Sequence, residues 1–273
     1  MTTVFLIGAA RSGTKLVRDL LGEHPDVAVV PYDINYLWRL GSEAVPHDEL
    51  VAPLPTKAVR GVEAELQKAK ARVSVEKTVS NCLRVPAMAD AFPEARFILL
   101  LRDGLDVTES SMRQWQAPFD WRYSARKALS FPWLRAPLYA AKHLRSSLVR
   151  SSSGTATWGP RYDGIDDDVA RLRLAEVCAR QWSECVTQAF DGFEQVGQRP
   201  LVVRYEQLVA TPLAEVNRLH TALGLEAVSG LAQEVQSTQV GRGAARLSAD
   251  DVDLIKALVS ETTDRIEAWN SEA

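Results

Sequence analysis

The chain has little cysteine, little histidine and no long hydrophobic run. Its three cysteines, Cys82, Cys178 and Cys185, show no metal-ligand spacing, and an odd number argues against a disulfide framework. Buried free thiols are the expectation. The four histidines, His24, His47, His143 and His220, fall at helix ends or in irregular segments and are expected to be solvated rather than catalytic. The apolar run that opens the chain breaks at Gly8 after a few residues and follows no charged leader, which is too short for a signal-peptide core or a membrane span. No internal repeat is present. These absences point to a cytoplasmic chain.

What is present suits one α/β domain. With 273 residues and 46% hydrophobic content, residues 1–273 can bury a full core without a second unit. Short apolar segments at Val4–Ile7, Val27–Val30, Val73–Val75, Phe97–Leu101 and Leu201–Val203 read as strands, mostly without alternation, as in a parallel sheet covered on both faces. Helical patterns lie between them at Thr14–Glu23, about Lys57–Lys70, Cys82–Phe92, Leu105–Gln114 and Val169–Val196. Alternation of this kind predicts right-handed crossovers, a doubly wound three-layer fold with a central parallel sheet, and ligands beyond the carboxyl ends of the strands.

The most informative stretch is VFLIGAARSGTKLVR, from Val4 to Arg18: a strand, a short glycine-flanked loop and a helix start. Glycines let the backbone approach an anion, and the first N–H groups of a helix point at whatever sits there. Gly8 to Gly13 satisfies the GxxxxG half of a nucleotide-triphosphatase loop, but Thr14-Lys15 inverts the Lys-then-hydroxyl order that such a loop needs. The second element of such a site also fails, because the apolar strand ending at Leu101 runs into Arg102 before Asp103, and a cation there favours an anion over a metal.

Arg11-Ser12-Gly13-Thr14 resembles the 5′-phosphosulfate loop of sulfotransferases that use 3′-phosphoadenosine 5′-phosphosulfate (PAPS). Arg102-Asp103-Gly104-Leu105-Asp106-Val107, with Ser110 eight residues after Arg102, resembles their 3′-phosphate motif. Further echoes follow in order: Glu76-Lys77-Thr78 with Asn81; Phe92 to Phe97; Val203 to Leu208 with Thr211-Pro212; and Val240-Gly241-Arg242 before Leu247-Ser248. The resemblance covers residues 1–115 and 170–270, is closest in pattern to the carbohydrate and tyrosyl-protein members, and implies a fold like that of P-loop-containing nucleotide hydrolases with a helical insertion.

The resemblance also implies roles. Arg11 is the cation bridging the 5′-phosphate and the sulfuryl group, with Ser12, Gly13 and Thr14 as donors and Lys15 as added charge. Lys15 departs from the second threonine usual there. Arg102 and Ser110 hold the 3′-phosphate, and Arg242 closes over it; a guanidinium suits a pair of phosphate oxygens. Lys77 touches the bridging oxygen or the acceptor. Asp33, the one carboxylate shortly after the second strand, is the base, with a helix N-cap as its competing explanation. PAPS is then co-substrate and the desulfated PAP a product, and no metal is required.

The acceptor belongs to the unmatched middle, 116–168, expected to be an inserted substrate-binding or lid segment. Nine of the twenty aromatic residues lie between Trp115 and Tyr162. Eight of the 32 basic residues and no acidic one lie between Trp121 and Arg161, leaving 24 basic against 35 acidic elsewhere. Aromatic faces stack on sugars and arginines bind anionic groups, so the expected acceptor is a hydroxyl on an anionic glycan or lipid-linked molecule, with Tyr36, Trp115, Trp158, Arg161 and Asp33 near it. The same segment, over 122–150, equally reads as a peripheral contact with the inner membrane surface, or as a helical hairpin packed into the core. No motif supports nucleic-acid binding. Two other readings stay open: a small-molecule kinase using ATP and Mg²⁺, and a non-catalytic nucleotide-binding protein of the same fold.

Overall fold

A computed structural model of the chain describes residues 1–68, 70–117 and 157–271. Residues 118–156 of the expected insertion, and with them the 122–150 stretch, lie outside the described residues.

Five strands, β1 (Thr2–Ile7), β2 (Val27–Val29), β3 (Val73–Glu76), β4 (Arg96–Leu101) and β5 (Leu201–Arg204), form one sheet in the order β2-β3-β1-β4-β5. Every neighbouring pair is parallel. Each strand is short and buried, and successive side chains enter different layers. Val4, Leu6, Ile98, Leu100 and Val203 pack on one side with Val17, Leu20 and Leu21 of α1 (Thr14–Leu21) and Val216 and Leu219 of α9 (Pro212–Ala222). Phe5, Ile7, Phe97, Leu99 and Leu101 face the other side. There they meet Trp38 of α2 (Asn35–Trp38), Val62 of α3 (Thr56–Leu66), Met88 of α4 (Val85–Ala91), Phe190 and Phe193 of α7 (Leu174–Val196), and Ile255 of α11 (Ala249–Ser271). Because both faces are covered, the strands are mostly apolar on both sides; β3, in which Ser74 and Glu76 alternate with Val73 and Val75, is the exception. Phe5 anchors the second layer, its ring edge-on to Trp38 at 5.5 Å and to Phe92 at 5.2 Å.

Two expected helices are divided. Instead of Cys82–Phe92 there is a 3₁₀ turn at Val79–Leu83 and then α4, with Pro86 in its first turn: proline lacks the N–H that a continuous helix needs, but fits a new start. Val169–Val196 is two helices, α6 (Ile165–Arg171) and α7, because Arg173 is extended and the Glu176 carboxylate accepts its backbone N–H at 3.0 Å, opening a fresh helix. The remaining helices, α5 (Gly104–Gln116), α8 (Tyr205–Ala210) and α10 (Arg242–Arg246), all begin near the carboxyl edge of the sheet. His24 and His220 correct an expectation: both are buried and pack edge-to-face at 4.9 Å, where burial lowers the basicity of His220. All three cysteines are free and buried. Among the described residues no helix is long and apolar enough to cross a membrane.

The α5–α7 contact depends on the absence of a side chain at Gly104, where a Cβ would lie 2.8 Å from Cζ3 of the buried Trp182. Gly104→Ala is therefore expected to destabilise the protein by about 1–3 kcal/mol, the cost of overpacking a filled core. Chemical denaturation checks this, with an unchanged midpoint as the contrary result.

Candidate active site

The sheet order reverses around β1, which lies between β3 and β4, and the loops beyond these strands converge at their carboxyl ends. The loop after β1 is tightly constrained. A Cβ at Gly8 would come within 2.9 Å of Thr14 Cγ2 and 3.0 Å of the Leu100 carbonyl oxygen. Arg11 has φ 69° and Gly13 φ 100°, so the chain passes twice through the left-handed region before entering α1. At Gly13 a Cβ would strike the Tyr205 ring at 2.7 Å. Ser12 and Thr14 are buried, and α1 begins without a side-chain cap, as suits a helix start that receives an anion instead.

Arg11 and the element after β4 meet directly: Arg11 Nε donates to Ser110 Oγ at 3.0 Å. Arg102, the first residue after β4, donates from Nη1 to the Arg11 carbonyl at 3.2 Å and from Nη2 to the Gln239 carbonyl at 2.8 Å. Its guanidinium lies 4.0 Å from the centroid of the Tyr205 ring, a cation–π contact. Its Nε is buried and has no partner among the described residues. The closing turn is fastened by Asp106, whose carboxylate accepts the N–H groups of Gly241 at 2.8 Å and Gly243 at 2.7 Å. This holds Arg242 at the start of α10, with Nη1 donating to Gln239 Oε1 at 3.1 Å.

The local field is positive. Partial burial, then Arg113 and Arg102, push the basicity of Arg11 down, against the opposing charge of Glu109. Glu109 is itself buried and accepts Arg113 Nε at 2.6 Å and Arg246 Nη1 at 3.3 Å. Guanidinium groups, hydroxyls and uncapped N–H groups form a donor set for phosphate and sulfate oxygens, and the orphaned Arg102 Nε supplies an open bond. PAPS, with an anion at each end, fits these residues.

On the other side of β1, Asp33 and Lys77 come together: Lys77 Nζ donates to Asp33 Oδ1 at 2.7 Å. Asp33 does not cap a helix; α2 starts after Ile34 and has no side-chain cap.

The family model described as "Sulfotransferase family" matches residues 38–148, a span that includes Lys77, Arg102 and Ser110. The nodulation protein NoeE of Sinorhizobium fredii (strain NBRC 101917 / NGR234) is 25% identical over 288 residues, covering 98% of this chain and 60% of that protein. The chain is thus similar to sulfotransferases in sequence. It spans 60% of the length of that curated relative. Its fold is that of the sulfotransferase domain from the curacin biosynthetic pathway, at TM-score 0.53, 11% identity and coverage of 95% and 97% of the two chains. The sulfotransferase domain of the Synechococcus PCC 7002 olefin synthase gives TM-score 0.53, 14% identity and coverage of 95% and 94%.

Within this family fold the other candidates separate. Lys15 is turned outward on α1, its side chain 77% exposed and its ammonium 2.7 Å from Asp19, so the structure spends its charge on the helix surface rather than in the loop. Arg161 is likewise committed, donating to the Pro46 carbonyl at 3.0 Å and pairing with Asp166 at 2.6 Å. Tyr36 is half-buried against the second core layer. Trp115 is half-buried in the last turn of α5, and its indole N–H is buried without a partner among the described residues. Trp158 is half-buried, its carbonyl accepting Gln181 Nε2 at 2.8 Å.

Glu109 and Arg113 escape a motif-based search for functional residues. Tyr205 and Asp106 sit inside recognisable segments, but their work is to brace arginines, which becomes visible only when β4, β5 and the 239–243 turn are juxtaposed.

Arg102→Ala is expected to weaken binding of PAP more than tenfold while affecting 5′-AMP, which lacks the 3′-phosphate, much less. Isothermal titration of both nucleotides separates the two, and equal losses would remove Arg102 from the 3′-phosphate site.

Proposed function

We propose that this chain is a PAPS-dependent O-sulfotransferase that moves a sulfuryl group to an acceptor hydroxyl by in-line displacement. The observation that carries this reading is the meeting of Arg11, Ser110 and Arg102, which joins the loop after β1 to the strand end and helix after β4 in one anion-binding surface. Bound PAPS supplies the sulfuryl group on a phosphate leaving group. The chain's part is charge neutralisation, alignment and a proton acceptor, as in phosphoryl transfer.

Arg11 neutralises charge where the leaving phosphate forms, with the buried Ser12 and Thr14 and the N–H groups of the α1 start around it. Arg102, Ser110 and Arg242 hold the 3′-phosphate end. Asp33 takes the acceptor proton; its side chain is 31% exposed, open enough for a hydroxyl to reach. Lys77, only 10% exposed, orients Asp33 and supplies positive charge beside the transferred group. No metal is assigned a role. The kinase reading is disfavoured because Arg102 stands at the strand end where a magnesium-holding carboxylate is needed, and Thr14-Lys15 runs in the wrong order.

The acceptor is proposed to be a carbohydrate or glycolipid bearing anionic groups. Support comes from the segregated basic and aromatic composition of 115–162 and from the placement of Trp115 in the last turn of α5, the helix that carries Ser110 and Arg113.

Thermal-shift measurements with PAP, PAPS, ATP and ATP with Mg²⁺ test the class: PAP is expected to stabilise without metal, by RT ln(1 + [L]/Kd). A larger response to ATP with Mg²⁺ would overturn it. Asp33→Asn is expected to keep near-normal PAP affinity and to lose turnover by about 10²-fold or more. Mass spectrometry of glycan, lipid and phenol pools incubated with PAPS reads that loss as a missing added sulfo group, and intact turnover would remove Asp33 from the mechanism.

A further inference from the structure

Beside the Asp33–Lys77 pair lies a second carboxyl, at the last residue of β3. Glu76 has 0% exposure, and the ammonium of the adjacent Lys77 is bonded to Asp33 instead. Glu76 Oε1 accepts the Thr78 hydroxyl, and Oε2 accepts Asn81 Nδ2 at 2.7 Å. Thr78 Oγ1 in turn accepts the backbone N–H of Ile34 at 2.9 Å, leaving its own proton for Glu76. A continuous line of bonds therefore runs from a buried carboxyl to the residue that follows Asp33, while Lys77 is the covalent neighbour of that same carboxyl.

We infer that Glu76 is a positioning residue: it fastens the loop carrying Asp33 through Thr78 and so keeps Asp33 and Lys77 in register across the β2–β3 edge. The inference rests on the roles assigned to Asp33 and Lys77 above. A buried carboxyl without an ion pair is costly, and such groups persist where the geometry they impose is needed. An apolar residue of similar volume at this strand end would fill the space without burying a carboxyl, but would leave Thr78 and Asn81 without their acceptor.

The surroundings let Glu76 exist in both protonation states. As carboxylate it receives Thr78 and Asn81 Nδ2; Asn81 Oδ1 is buried and unpartnered among the described residues, so rotating that amide presents an acceptor to the protonated acid. Burial pushes the Glu76 carboxyl up to about 7, with the charge of Asp33 acting the same way and Thr78, Lys77 and Asn81 acting against it. Arg84, fully buried nearby, is the other charge that faces it. Ionisation of Glu76 therefore falls in the working range and changes the charge beside Asp33 and Lys77 while the anchor stays in place.

Two variants separate anchor from charge. The probe is PAPS alone, with water as acceptor: the sulfur–oxygen bond to the 5′-phosphate breaks, a new one forms to water, and PAP, sulfate and protons are released. Thr78→Val, which cuts the line to Ile34, is expected to lower kcat tenfold or more with KM for PAPS within about twofold of wild type, and Thr78→Ser to restore it. Hydrogen exchange at the Ile34 amide of the free protein should rise at least tenfold in Thr78→Val. Glu76→Gln keeps an acceptor for Thr78 but cannot ionise, so the inflection near pH 7 expected in the wild-type kcat profile should vanish. If Thr78→Val leaves kcat and Ile34 exchange unchanged, or Thr78→Ser is as impaired as Thr78→Val, the anchor is refuted; if Glu76→Gln keeps the inflection, the charge effect is refuted. Should Glu76→Gln fail to fold, the valine–serine comparison and the exchange rates decide. Loss of PAP stabilisation in the wild type would instead sink the sulfotransferase reading itself.

Discussion

Crowding of like charge is the constraint around which the rest of this molecule is arranged. Burial, then the charge of Arg113 and then that of Arg102, depress the basicity of Arg11. Two unit charges 4 Å apart repel by roughly 4 kcal/mol at an effective dielectric of about 20. The fold offsets this with acceptors that leave the anion-facing side open. Two backbone carbonyls, of Arg11 and Gln239, and the face of Tyr205 hold Arg102; Ser110 holds Arg11; and the carboxylates of Asp106 and Glu109 are occupied by N–H groups and by Arg113 and Arg246. Asp106 also pairs with Arg102 Nη2 at 3.7 Å, and the charge that remains on Arg11 and at the open Arg102 Nε favours a ligand with two anionic ends.

Keeping those cations close requires backbone without side chains. Gly13 allows the loop to lie against Tyr205, the same ring that supports Arg102, so one aromatic residue from the β5 end sets the height of both the loop and the cation. Gly243 plays the matching part on the closing turn, where a Cβ would meet the Leu105 backbone at 2.8 Å. Asp106 can therefore reach both flanking N–H groups. The glycines in this site are spacing devices as much as conformational ones.

The sheet was legible in the sequence because both faces are covered: short, mostly apolar strands separated by amphipathic segments admit few other architectures. Arg102 was legible because it directly follows a strand, and Arg11 because it lies in the glycine-flanked loop between β1 and α1. Lys15 and Arg161 show where such reading fails. Both have the right charge in the right neighbourhood, but α1 rotates Lys15 outward to Asp19, one turn along, and Arg161 finds Asp166 and the Pro46 carbonyl. Neither choice of partner is written in a motif. Glu76 was hidden for a different reason: a glutamate before a lysine reads as an exposed charge pair, and only the parallel register that places Glu76 beside Phe5 shows it to be buried. The divided helices follow from Pro86 and from the Glu176 cap, signals that are local but easily overruled by a long amphipathic pattern.

Placement of the two halves on opposite sides of β1 carries its own consequence for the proposed transfer. The residues assigned to the nucleotide phosphates come from the ends of β1 and β4, and those assigned to proton removal from the ends of β2 and β3. Adjacent parallel strands lie about 4.8 Å apart, so the β2 and β4 ends are separated by three strand spacings, about 14 Å. With the 3′-phosphate assigned to the β4 end, the leaving 5′-phosphate to the loop after β1 and the base to the β2 end, the proposed reacting centre falls above β1 and β3, where Arg11 and Lys77 emerge. An in-line displacement needs this order of groups: leaving oxygen, sulfur, incoming oxygen and base along one line, with a cation beside each oxygen. Under the proposed roles, the strand order β2-β3-β1-β4 sets these groups out in that sequence.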